Sequence, residues 1–141
     1  VGTTRMKEIV DRVCEGKGEE GDVRHLKELG ESIRDSALCG LGNSAPNPVL
    51  TTLRYFPEEY EAHIHAKRCP ALRCTKLIKY RILPGKCTGC SLCSRKCPTG
   101  AITGELKKTY VVDAAKCIAC GACQRVCRFS AVEVYSGEAA Q

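Results

Sequence analysis

The chain has 141 residues, a formal charge of +6 and 43% hydrophobic residues, but no Trp and only two Phe and five Tyr, so it can build one ordinary domain or two small ones with few large core-filling side chains. Twelve cysteines, without an apolar leader or a run long enough to span a membrane, argue against a secreted disulfide scaffold and for thiolates that hold metals in a reducing cytoplasm. The charge is uneven: residues 1–66 carry a net −4, residues 67–85 a net +6 and residues 86–141 a net +4.

From the N-terminus, Met6, Ile9, Val10 and Val13 recur at the three-and-four spacing of one helical face and predict a first amphipathic helix. The run "EGKGEEG" interrupts it, and Asp22 is placed to N-cap a second helix with Leu26, Leu29, Ile33 and Ala37 along one side. The turn-forming stretch "SALCGLGNSAPNPVL" (36–50) then carries one cysteine, Cys39, with no second thiol nearby. Pro48 suits a first helical position behind Asn47, and Pro57 either kinks the helix "VLTTLRYF" or starts another with "EEYEAHIHAKR". The expected organisation is α+β: a small helical bundle over 1–66, a basic hinge over 67–79 and a second domain over 80–141.

That second domain is organised by a duplication. "CTGCSLCSRKCPTGAI" (87–102) and "CIACGACQRVCRFSAV" (117–132) align without gaps at a 30-residue offset, with four cysteines, one Arg and one Ala identical. β-prone segments flank the copies at 79–83, 109–113 and 132–135, so each reads as loop, short helix and strand about a pseudo-twofold axis. Each run is C-x-x-C-x-x-C-x-x-x-C. Three closely spaced cysteines wrap one corner of an iron–sulfur cube, while in a duplicated arrangement the fourth ligates the other cluster. Cys87, Cys90, Cys93 and Cys127 are therefore the expected ligands of one [4Fe–4S] cluster, and Cys117, Cys120, Cys123 and Cys97 of the second. Two such sites contribute about −2 each, bringing the loaded chain to about +2. The basic excess is then a counter-charge. Scarce aromatics likewise disfavour nucleic acid as a partner.

Residues 80–136 resemble a bacterial two-cluster ferredoxin through the double motif and "CPTGAI", with Arg128 standing where that family usually has a second Pro. "SALCGLGNSAPNPVLTTLRYF" and "EEYEAHI" resemble the C-terminal helical domain of the flavin-bearing, NADH-oxidising subunit of respiratory complex I. The whole resembles the beta subunits of electron-bifurcating [FeFe] hydrogenases and NADP-reducing hydrogenases, which carry a ferredoxin extension there. By that resemblance Cys39 is the fourth ligand of a further [4Fe–4S] cluster whose other ligands lie upstream of Val1. FMN and NAD(P) sites are likewise implied outside this sequence. The opening at Val1 rather than Met fits the expectation of a piece of a longer or processed chain.

"HIHAKRCPALRC" sets His63 six residues before Cys69 and eleven before Cys74, a His/Cys grouping suited to tetrahedral zinc. The resemblance implies a zinc-like site there, with His65 a weaker candidate than His63. The fourth ligand has no spacing signal; Cys14 is one option. No acid, base or nucleophile constellation is visible, and His25 reads as solvated. The expected function is an electron-transfer module of a cytoplasmic flavin-based NAD(P)H-dependent oxidoreductase, a bifurcating hydrogenase or a relative. Its partners would be ferredoxin and other subunits of the complex. The alternative is a free-standing ferredoxin-like carrier with a helical appendage.

Overall fold

Two residue spacings, the helical one before residue 65 and the cysteine one after residue 86, become two architectures. The computed structural model describes residues 1–137; the last four residues of the expected 80–141 domain lie outside them. The chain divides into one unit spanning Val1–Leu77 and a second beginning at Ile78.

The first unit has five helices: α1 (Gly2–Cys14), α2 (Asp22–Ser36), α3 (Gly40–Ser44), α4 (Asn47–Tyr55) and α5 (Pro57–Ile64). Met6 and Ile9 of α1, Leu26 of α2 and Leu53 of α4 form the buried core, lined further by Leu29, Ile33, Val49 and Tyr60. Close approach of α2 to its neighbours uses Gly30: a Cβ there would stand 2.7 Å from Leu50 Cδ2 and 2.9 Å from Met6 Cε. Pro57 starts a new helix rather than kinking α4, because its missing N–H costs nothing at a first turn.

Asp22 differs from its expected role. Gly21, in the left-handed region at φ 101°, precedes α2, and Asp22 is the first helical residue. Its buried carboxylate pairs with Arg12 and accepts the Glu19 N–H at 2.9 Å. The side chain therefore ties α2 back to α1 and to the intervening loop. The sequence cue was right about the helix start and wrong about the bond.

The second unit contains β1 (Ile78–Ile82), α6 (Leu92–Arg95), β2 (Ile102–Thr103), β3 (Val111–Val112), α7 (Ala122–Val126) and β4 (Val132–Ser136). β1 pairs antiparallel with β4, from Ile78 opposite Ser136 to Ile82 opposite Val132; β2 pairs with β3. Two hydrogen bonds extend the exchange between the copies: Leu83 N–H donates to Ala131 O at 2.8 Å, and Asp113 N–H to Ala101 O at 2.7 Å. The core is small, with Ile102, Tyr110 and Val132 packed around Cys93 and Cys123.

Candidate iron–sulfur and metal sites

The cysteine loops take their shape from left-handed backbone at four places, Gly89, Ser91, Ala119 and Gly121. Ser91 and Ala119 adopt it without being glycine, at φ 62° and 53°, a local cost that surrounding structure must hold. At Gly89 no side chain fits, since a Cβ would lie 2.6 Å from the backbone of Lys107 and Lys108.

These loops gather the cysteines into two cavities. Cys87, Cys90, Cys93 and Cys127 line one, beside Tyr110 and Phe129. Cys97, Cys117, Cys120 and Cys123 line the other, beside Tyr80 and Ile118. Each set thus joins three cysteines of one run to the last cysteine of the other. The two non-cysteine identities of the duplication also have local roles. Ala101 N–H donates to Cys97 Sγ and Ala131 N–H to Cys127 Sγ, both at 3.3 Å. Arg95 and Arg125 each donate a backbone N–H to the residue that caps their short helix, Ser91 O at 3.1 Å and Gly121 O at 3.2 Å. Burial raises the Cys93 and Cys123 thiols. At Cys97 burial is outweighed by hydrogen bonds from Thr99, Ala101 and Gly100, which hold the thiol below its ordinary value. Cavities walled by four thiols, with N–H groups aimed at sulfur, fit a cluster that needs thiolate ligands and hydrogen-bonded sulfurs.

A separate group lies within the first unit. The ligand atoms of His63, Cys69 and Cys74 fall within 4.8 Å of one another. His63, near the end of α5, donates Nδ1–H to Glu59 O at 2.6 Å. A carbonyl can only accept, so the lone pair sits on Nε2, 3.3 Å from Cys74 Sγ. Cys69, buried in the following loop, accepts N–H bonds from Arg73 at 3.3 Å and Cys74 at 3.5 Å. Burial would raise its thiol, but those N–H groups bring it down to about 7. Cys74 is pushed up to about 12 by burial, by its hydrogen bond to Cys69 and by the charge of Cys14. Cys14, the last residue of α1, lines the same cavity of about 200 Å³. Tetrahedral zinc binds nitrogen and sulfur donors of this kind, at about 2.0 and 2.3 Å, and the three ligand atoms lie close enough together to be candidates for one ion. The backbone carbonyl on Nδ1 is the outer-shell partner that such a histidine needs.

Cys39 precedes α3 in extended backbone and is exposed, between exposed Leu38 and Leu41. His65 pairs instead with Glu61 at 2.9 Å, and His25 is exposed. Tyr80 and Tyr110 escaped the sequence reading, although their separation of 30 residues extends the offset of the duplication beyond the cysteine runs.

Two sets of four thiols on short loops between short strands, following a helical region in the sequence, define an iron–sulfur electron-transfer protein. Residues 1–63 match the NADH-ubiquinone oxidoreductase-F iron-sulfur binding region and residues 86–131 the 4Fe-4S dicluster domain. The chain is 51% identical over 110 residues to NADP-reducing hydrogenase subunit HndC of Solidesulfovibrio fructosivorans, covering 78% of this chain and 22% of that one. It is 35% identical over 69 residues to an NADH-quinone oxidoreductase subunit of Streptomyces coelicolor, covering 49% and 15%. NAD-reducing hydrogenase HoxS subunit alpha of Cupriavidus necator is 34% identical over 71 residues, covering 50% and 12%. This chain is therefore an iron–sulfur electron-transfer region homologous to part of the subunits of NAD(P)-reducing hydrogenases and NADH-quinone oxidoreductases. It spans about a fifth of the first relative's length and less of the others. Among the described residues no helix is long and apolar enough to cross a membrane.

Proposed function

We propose that this chain relays single electrons within a cytoplasmic flavin-based NAD(P)H-dependent oxidoreductase, an electron-bifurcating hydrogenase or a relative. The observation that carries this reading is the sorting of eight cysteines into two cavities, each mixing both runs. Cys87, Cys90, Cys93 and Cys127 hold one [4Fe–4S] cluster, and Cys117, Cys120, Cys123 and Cys97 the other, about a pseudo-twofold axis. The matched hydrogen bonds at Ala101 and Ala131, and at Leu83 and Asp113, support that symmetry. Cys39 contributes one ligand to a third [4Fe–4S] cluster, with three thiolates supplied from outside this sequence; its exposure between two exposed leucines supports that sharing. Clusters of this kind, when bound, take up and release one electron at a time at potentials set by charge, sulfur hydrogen bonds and exposure.

His63, Cys69 and Cys74 hold a structural zinc, and Cys14 supplies the fourth ligand. A closed four-ligand site leaves no open position for substrate; the metal fastens the 67–77 loop to α1 and α5. FMN and NAD(P) bind elsewhere in the assembly, and electrons pass between the Cys39 cluster and ferredoxin or another subunit. The names of the hydrogenase relatives and the 51% identity to one of them support that setting.

Iron, sulfide and zinc analysis of anaerobically isolated protein, with EPR spectra of the reduced state, tests the reading. About eight irons and one zinc are expected for the chain alone, and about twelve irons when the partner completing the Cys39 site is present. Fewer than about four irons on protein with intact thiols would sink it.

A further inference from the structure

The two cysteine cavities are alike in ligand type and unlike in what stands beside the ligands. Tyr80 and Tyr110 occupy matching positions of the duplication, one in each cavity. A Cβ on Gly121 would come 3.0 Å from Tyr80 Oη, tighter than side chains ordinarily tolerate. The hydroxyl therefore uses space that a glycine leaves open. The first loop has Ser91 at this place, with the same left-handed backbone but a Cβ on it. Arg125 is the second difference. Its Nη1 donates to Cys120 O at 3.2 Å and lies 3.4 Å from the same Cβ position. Among the described residues, Arg95 of the first copy makes no such side-chain bond.

We infer that Tyr80 and Arg125 are potential-tuning residues that make the Cys97/Cys117/Cys120/Cys123 site the easier of the two to reduce. The inference rests on the cluster reading given above. Reduction adds one electron, and no proton moves in the step. The added charge would spread onto the ligand sulfurs, and the Tyr80 ring and hydroxyl lining that cavity, with the Arg125 cation held on the Cys120 carbonyl, stabilise it through space and raise the potential. The relay is then a graded pair: an electron rests at the second site and must climb to leave by the first.

An EPR-monitored redox titration with dithionite and mediators tests this on the complete chain loaded anaerobically with iron and sulfide. Wild type should show two one-electron steps at distinct midpoints. Tyr80→Phe keeps the ring and should lower the upper step alone, at unchanged iron content. Arg125→Gln should lower the same step, and Tyr110→Phe should leave it in place. Two steps at one midpoint, no shift in Tyr80→Phe, equal shifts of both steps, or an upper step that follows Tyr110 would each overturn the inference while about eight irons left the cluster reading standing. A wild-type chain that binds no clusters would overturn both.

Discussion

The two units solve the same problem, ordering a short chain, by different means. The helical unit buries an apolar set, Met6, Ile9, Leu26 and Leu53, drawn from three helices. The unit beginning at Ile78 has two two-stranded sheets, helices of four and five residues, and a core in which two of five buried members are cysteines. Elements that short are marginal in water by themselves. The first unit has a hydrophobic core of ordinary kind; on the cluster reading proposed above, the second draws much of its stability from what its thiols bind. The lesson is that cysteine can replace core-forming side chains where a cluster, rather than apolar area, supplies the stabilisation.

The strongest way to break this contrast is to remove iron. Chelation under reducing conditions should abolish amide protection across β1 and β4, read by hydrogen exchange, and leave α1 and α2 protected. Persistence of protected β1–β4 amides in iron-free protein would show that the small core suffices. Next, Leu26→Ala should destabilise the helical unit by about 2–5 kcal/mol, measured by urea unfolding, with iron content unchanged. Asp22→Ala removes the buried partner of Arg12, whose Nε is already without a hydrogen bond. A loss of about 1–3 kcal/mol in the same unit is expected from the missing buried hydrogen bonds, since Glu19 still stands 3.7 Å from Arg12. On the zinc reading proposed above, Cys74→Ser should lower zinc content, assayed by metal analysis, and raise exchange in residues 67–77 while sparing the α1–α2 core. The smallest effect sharpens the comparison inside the second unit. Gly89→Ala should lower iron occupancy of the first site more than Ala119→Gly lowers that of the second, because a Cβ at Gly89 would meet backbone at 2.6 Å, whereas Ala119 already carries its Cβ in the same left-handed backbone.

What the sequence made legible follows the range of each interaction. Helices α1 and α2 were readable because their apolar residues recur within two turns, and the cysteine runs because their ligands sit two or three residues apart. The strand β2 is two residues long and carries no period that a sequence can display. Asp22 looked like a cap because that residue type before a helix usually is one; its partner Arg12, ten residues earlier on another helix, could not be inferred locally. Cys14 and Cys74 lie 60 residues apart, so their shared cavity is a product of how α1 packs against α5 and not of any spacing. Tyr80 was readable in principle, had the 30-residue offset been extended past the cysteines.

The register of β1 against β4 sets Ile78 opposite Ser136, which places the start of the first strand and the end of the last strand of the second unit side by side. Two strands whose outer ends meet in this way let a chain enter and leave the sheet at one edge. Pulled from those two ends, it would also open like a zipper, one ladder bond after another, instead of resisting in shear.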